Sequence, residues 1–222
     1  MNWITRWKKI GIKVKQIFKK QPSKQEQTDW KNCPQCKKIS YKPDLFKNLY
    51  ICECSFHFDL PPEYRLKSLF DSDYKIIEAT DNIDPDPLNF EVKNGAREGY
   101  KYIQKVNKYR KATGQKTALL CAAGKISNLR AVVTCFNPKF GAGRFGPAEN
   151  ELFLKASNYA IKEKVDIWIT IYQSSGIDVH TGVTGLAGMT KSIIAMNEIK
   201  KNKIPTFCVA ARATAGGTYA SS

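Results

Sequence analysis

The chain has 222 residues, 42% of them hydrophobic, and 36 Lys and Arg against 20 Asp and Glu give a formal net charge of +16. That length suits one large domain, or one domain with a small module, and the apolar fraction is that of an ordinary globular protein. No apolar run approaches the ~18 residues of a membrane span. The positive surplus points to nucleic acid or to other phosphorylated or acidic ligands, unless it reflects only a lysine-rich composition.

Residues 1–25 carry lysines and an arginine but no acid; the first acid is Glu26. Trp3, Trp7, Ile10, Val14 and Ile17 follow one another in steps of four and three, which makes one apolar stripe on a helix. Such a helix lies on a membrane surface or on RNA, serves as an organelle presequence, or packs its stripe on a partner or on the chain's own body. Gln21 to Gln27 is polar, contains Pro22 and reads as a linker. Residues 1–27 are therefore expected to be a basic amphipathic helix with its linker.

Four of the seven cysteines fall between positions 33 and 54. Cys33-Pro34-Gln35-Cys36 has the two-residue gap that aims two thiolates at one tetrahedral metal. Fifteen residues then lead to Cys52-Glu53-Cys54, a spacing that suits a four-cysteine zinc ribbon. The second pair is one residue short, and His57 stands close enough in sequence to replace Cys54. The alternatives are a disulfide pair or free thiols, though nothing in the chain suggests a secreted disulfide scaffold. Residues 28–60 are read as a zinc ribbon, with Tyr41 to Leu49 as the excursion between the two cysteine turns and Leu60-Pro61-Pro62 closing it.

Beyond the ribbon, Glu63 to Phe70 has helical spacing. Asp84-Pro85-Asp86-Pro87 excludes a helix interior, and a helix is expected from about Gly95 to Lys111, ended by Thr113-Gly114. Thr117 to Ala123 and Leu129 to Phe136 read as a hairpin or two adjacent strands. The loop Phe140-Gly141-Ala142-Gly143-Arg144-Phe145-Gly146 suits a close backbone approach to a ligand or another helix. Pro147 fits the first turn of a helix running to about Lys164. Val165 to Tyr172 is a strand, Gln173-Ser174-Ser175-Gly176 a turn, Thr184 to Lys201 a helix, Ile204 to Ala210 a strand and Thr214 to Thr218 a second turn of small residues.

This alternation predicts an α/β domain with a largely parallel sheet. Ligands of open α/β sheets sit at the carboxyl ends of strands, where the turns after Tyr172 and Ala210 lie. Backbone N–H groups there can hold an oxyanion without any catalytic side chain. None accompanies them: there is no Gly-x-Ser-x-Gly elbow and no phosphate-binding loop, and His180, like any single histidine near a turn, reads more simply as a surface residue.

Taken together, these stretches resemble the β subunit of the bacterial and plastid acetyl-CoA carboxylase carboxyltransferase. The resemblance rests on Met1-Asn2-Trp3-Ile4, the ribbon from Trp30 to Phe58, Arg65-Leu66-x-Ser68-Leu69, Asp86-Pro87-Leu88-x-Phe90, and Tyr109 with Thr113-Gly114-x-Lys116-x-Ala118-Leu119. The glycine loop, the Ser-Ser-Gly turn and the closing Gly-Gly turn complete it. It implies a crotonase-like (ClpP/crotonase) carboxyltransferase fold over residues 61–222, incomplete because the family continues past Ser222. It also implies transfer of a carboxyl group from carboxybiotin, on its biotin carboxyl carrier protein, to acetyl-CoA, giving malonyl-CoA for fatty acid biosynthesis. An α subunit would complete the site, and the location would be cytoplasmic or plastid.

Under that resemblance Gly176 and Ile177 supply backbone oxyanion donors. Gly143, Gly146, Gly216 and Gly217 bind substrate, and Cys33, Cys36, Cys52 and Cys54 hold Zn²⁺. The family pattern Ser-Gly-Gly-Ala-Arg-Met becomes Ser175-Gly176-Ile177-Asp178-Val179, which loses a glycine and the arginine. Phe-Met-Gly-Gly-Ser-Met-Gly becomes Phe140 to Gly146, with Arg144 as a large residue in a tight place. The isolated chain is therefore expected to be inactive. The competing reading is a divergent, non-catalytic relative in which the basic ribbon binds RNA or a carboxylase partner.

Overall fold

A computed structural model of the chain describes residues 29–79, 83–92 and 99–221. The amphipathic helix expected over residues 1–27 lies outside the described residues. The chain divides between Asp59 and Leu60 into two compact units.

In the first unit β1 (Trp30–Asn32) pairs antiparallel with β2 (Ile39–Tyr41), Trp30 opposite Tyr41. The excursion between the cysteine turns contains a short helix, α1 (Lys42–Lys47), with Pro43 in its first turn and Leu45 buried. An isolated bridge between Ile51 and His57 frames the second cysteine turn.

In the second unit α2 (Pro62–Leu69) begins on a proline, whose missing N–H costs nothing in a first turn. After β3 (Lys75–Ile76), the strands β4 (Glu91–Val92) and β5 (Tyr100–Lys101) form a small antiparallel ladder. The helix expected from Gly95 appears as α3 (Tyr102–Thr113), and Gly114 ends it in a left-handed conformation with its N–H on the Arg110 carbonyl. Next come β6 (Leu119–Ile126), β7 (Leu129–Phe136), α4 (Pro147–Lys162), β8 (Ile167–Tyr172), α5 (Gly182–Lys201), β9 (Thr206–Ala210) and α6 (Gly216–Ser221). The last helix starts inside the stretch that the sequence suggested was only a turn.

Five strands form one sheet in the order β3-β6-β7-β8-β9. It is mixed, where a largely parallel sheet was expected: β3/β6 and β6/β7 are antiparallel, β7/β8 and β8/β9 parallel. The cause is local. Ser127 and Asn128 both have positive φ, 50° and 64°, the two-residue turn that fits the strand twist of a hairpin. The Asp71 carboxylate accepts both of their N–H groups at 2.9 Å. Parallel neighbours need a crossover instead, and α4 and α5 provide it.

Strand β7 shows the period of two that separates the faces. Val132 and Phe136 join Leu152, Phe153, Ala156 and Ala160 of α4 and Ala195, Met196 and Ile199 of α5 in the main core. Ala131, Val133 and Cys135 pack on the opposite face with Leu66 and Phe70. Between them Thr134 and Thr170 share a buried hydrogen bond of 3.1 Å, and the Trp168 indole donates to Thr170 at 2.8 Å, so these three buried polar groups are satisfied. A third cluster, Tyr102, Val106, Ala118 and Phe140, seats α3 on the start of the glycine loop.

Phe153 is fully buried, edge-on to Trp168 at 5.3 Å between ring centres. Phe153→Ala is expected to destabilise the protein by about 3–5 kcal/mol, read from chemical denaturation, because the cavity closes only partly.

Candidate active site and cysteine cluster

The four cysteines predicted as ligands converge. Their sulfurs all lie within 4.8 Å of one another, with Cys33 to Cys54 and Cys36 to Cys52 each 3.7 Å. A tetrahedral zinc with Zn–S bonds of about 2.3 Å separates its sulfurs by about 3.8 Å, so the cluster fits such an ion. The short second pair works because its turn is shorter too. Cys33 exchanges backbone bonds with Lys38 and Lys37, whereas Cys52 does so with Phe56 and Ser55, one residue fewer. Lys37 and Ser55 make the tight reversal with φ of 61° and 64°. His57 is exposed and outside the cluster, whose fourth sulfur is that of Cys54. Burial pushes the Cys33 thiol up, but backbone N–H groups of Cys36 and Gln35 and the neighbouring sulfurs bring it down to about 7, toward the thiolate that a metal needs.

In the second unit the glycine loop and both strand-end turns meet at the carboxyl ends of β8 and β9. Gly143 has φ +69°, and a Cβ there would lie 2.0 Å from the Gln173 carbonyl oxygen, so no side chain fits. Beyond it the Phe145 N–H donates to Gly176 O at 2.9 Å, and the Asp178 N–H donates to Phe145 O at 3.1 Å. This one-residue parallel bridge turns the intervening Ile177 N–H away from the loop, and that N–H has no hydrogen-bond partner among the described residues. Gly176 is the residue at positive φ, +108°; Ile177 has an ordinary φ, so replacing the family's second glycine there costs no backbone strain. The Gly176 N–H is already taken by the Ser174 hydroxyl at 3.1 Å, which leaves Ile177 as the free donor of the predicted pair.

The two turns are tied together. Ala215 N–H donates to Ser174 O at 3.0 Å, the Ser174 and Thr218 hydroxyls are 2.9 Å apart, and Gly217 lies so close to Ile177 that a Cβ would meet its Cγ1 at 2.4 Å. Gly146 caps α4, with its N–H on the Glu149 carboxylate at 3.0 Å. A cavity of about 210 Å³ opens here, lined by Tyr102, Lys105, Gly141, Arg144, Ile177 and His180 among others.

Sequence reasoning missed the charged cluster behind this cavity. Arg144 is 4% exposed, and its Nη1 lies 2.5 Å from Asp178 Oδ2 while Nη2 lies 3.7 Å from Glu149 Oε1. The Tyr102 hydroxyl donates to Asp178 and accepts from Arg144. His180 stacks on Tyr102 with ring centres 4.2 Å apart, its Nδ1 2.9 Å from Asp178 Oδ1. Burial works against the charge on Asp178, but the Tyr102 hydroxyl, the Arg144 guanidinium and His180 outweigh it and hold the carboxyl below its ordinary range. Arg144 is accommodated because Asp178 and Glu149 lie against its guanidinium and the Tyr102 hydroxyl accepts from it. The one available signal was Asp178 itself, the only acid between Asp166 and Glu198.

The mixed sheet with its crossover helices is that of a crotonase-like carboxyltransferase domain, as its similarity to known proteins shows. A malonate decarboxylase hetero-tetramer from Pseudomonas superposes with a TM-score of 0.51 over 73% of this chain and 55% of its own, at 16% identity. The transcarboxylase 12S structure also gives 0.51, over 72% of this chain and 28% of its own, at 14% identity. A profile for the carboxyl transferase domain matches residues 100–222, and the chain belongs to the carboxyl transferase family. Relatives named acetyl-coenzyme A carboxylase carboxyl transferase subunit beta include that of Pelagibacter ubique, 32% identical over all of this chain and 70% of its own. For Hirschia baltica the figures are 29%, all of this chain and 60%. A β/α subunit protein of Natranaerobius thermophilus is 32% identical over 86% of this chain and 30% of its own length.

The depressed Asp178 carboxyl has a consequence for stability. It stabilises the fold above the ordinary aspartate range, about pH 4, and loses that contribution as pH falls through the lower folded value. Denaturation from pH 6 to 2 should therefore show a smaller acid loss for Asp178→Asn than for the natural chain; equal slopes would contradict this.

Proposed function

We propose that this chain is the β component of an acetyl-CoA carboxylase carboxyltransferase, which passes a carboxyl group from carboxybiotin on a biotin carboxyl carrier protein to acetyl-CoA. The malonyl-CoA formed would feed fatty acid biosynthesis, with an α subunit completing the site. The observation that carries this reading is the Ile177 N–H, without a hydrogen-bond partner among the described residues, at the end of β8 in a domain of this family. Release of the carboxyl group and formation of the acetyl-CoA enolate each build negative charge on a carbonyl oxygen, and a preorganised N–H stabilises such charge. Ile177 is the donor, Gly176 gives the turn its shape, and Gly143, Gly146, Gly216 and Gly217 let the backbone walls approach the acyl chain. The positive φ of the turn belongs to Gly176, so isoleucine at 177 is compatible with the turn.

The four thiolates of Cys33, Cys36, Cys52 and Cys54 would hold Zn²⁺ as a structural ion, since four protein ligands leave no open position. RNA is a further candidate partner, supported by the +16 charge and the exposed Trp30 and Tyr41 rings of the ribbon. Among the described residues no helix is long and apolar enough to cross a membrane, in keeping with a cytoplasmic site of action.

Two measurements test these assignments. Malonyl-CoA should form when the chain is combined with an α subunit and carrier-bound carboxybiotin. Ile177→Pro, which deletes the N–H, should lower turnover by ~10²–10³-fold, while Ile177→Ala stays near the natural rate. No product from the natural chain in that assembly would overturn the reading. Elemental analysis of the purified protein should give one zinc per chain, lost in Cys54→Ser and kept in His57→Ala; zinc retained by Cys54→Ser would exclude the four-cysteine set.

A further inference from the structure

Three pieces of chain line the cavity that Ile177 borders: the glycine loop, the turn after β8 and the start of α3. Backbone bonds join the first two at Phe145–Gly176, Asp178–Phe145 and Ser175–Ala142, the last at 2.9 Å. The loop gives little apolar anchorage of its own between Gly141 and Arg144, and three of its residues, Gly141, Ala142 and Gly143, sit at positive φ. The side chain that crosses from loop to turn is Arg144, which reaches Asp178 at 2.5 Å and lies 3.7 Å from Glu149. Its guanidinium also lies 5.6 Å from the Tyr102 ring centre, so α3 is drawn in as well. Glu149 in turn accepts the N–H of Ala118 at 2.8 Å and of Gly146 at 3.0 Å, which links the cluster to the start of β6 and to α4.

Removing both charges from water is costly, and a buried ion pair contributes little net stability over apolar packing. Its physical effect is on geometry: a buried guanidinium has few low-energy positions, each set by the carboxylates around it.

We propose that Arg144 is a positioning residue for the carboxyl-transfer reaction, its guanidinium pinning the glycine loop to the turn after β8 through Asp178 and so fixing the direction of the Ile177 N–H. This rests on the carboxyltransferase reading for its chemistry but not for its structural content. Arg144 does not contact the reacting atoms; it acts through Asp178 and Phe145.

The test separates the two. Hydrogen exchange by mass spectrometry on the full chain should show amides of residues 142–146 and 175–178 exchanging about tenfold faster in Arg144→Met, with β7 amides unchanged as the folded control. Arg144→Lys should recover only part of the protection, because one ammonium cannot lie against both Asp178 and Glu149 as the two ends of the guanidinium do. The exchanged pair Arg144→Asp with Asp178→Arg should recover more than either single change. In the reconstituted assay Arg144→Met should lower kcat about tenfold with the KM for acetyl-CoA within about threefold. Unchanged exchange in Arg144→Met overturns the proposal, as does an exchanged pair no better protected than the single variants. A natural chain that makes no malonyl-CoA refutes the functional reading alone, and the exchange measurements still decide the role of Arg144.

Discussion

The contact between Gly143 and the Gln173 carbonyl sets the position of everything around the candidate site. A loop backbone that rests directly on a strand-end carbonyl leaves no room for a Cβ, as the 2.0 Å distance to a built Cβ demonstrates. From that contact the chain has one course: Phe145 bonds to the turn after β8, and Gly146 then opens α4. Asn150 holds the same point from the helix side, its amide donating to Gly146 O at 2.8 Å and its carbonyl oxygen accepting from Ser192 of α5 at 3.0 Å. The two crossover helices and the loop are thus placed by one close approach of backbone to backbone, and the parallel half of the sheet follows from where those helices run.

Around that contact, polar groups are buried at a density that an apolar core would not require. Glu149 is fully buried, and Arg144, Asp178 and Ser174 nearly so. Desolvation makes each costly alone, and each is held by partners on a different segment. Ser174 links the turns after β8 and β9, Asp178 the turn and α3, and Glu149 helix α4 and strand β6. The result is a wall in which the Ile177 N–H, without a hydrogen-bond partner among the described residues, has a defined direction. The cysteine cluster follows the same logic on a smaller scale. Two turns of unequal length bring four sulfurs within 4.8 Å of one another, and a metal ion would replace the apolar core that so short a segment cannot build.

Several features were legible because their causes are local. The cysteine pairs, Pro147 at the first turn of α4, Gly114 at the end of α3 and the apolar run of β8 each depend on the chemistry of a few neighbouring residues. The glycines at 143 and 176 announced close approach or special φ, and both proved to need it. The strand-end turns carried the family pattern strongly enough to indicate the fold. Less visible was the direction of pairing, since the hairpin turn at Ser127-Asn128 lacks the glycine that usually marks one, and its positive φ values are supported by Asp71, more than fifty residues away.

By itself the sequence determined most of the longer elements, the cysteine pairs and the family, because periodicity, spacing and turn chemistry act over a few residues. Tertiary structure alone decided which N–H at the strand-end turn is free. That depends on Ser174 capturing the Gly176 N–H and on Phe145 bridging past Ile177, one contact local and the other some thirty residues distant. It alone decided that Arg144 is accommodated, since a buried guanidinium is tolerated only where carboxylates from other segments meet it. It also placed Cys54 and not His57 with the other three cysteines, since a one-residue difference in turn length sets where the sulfur points.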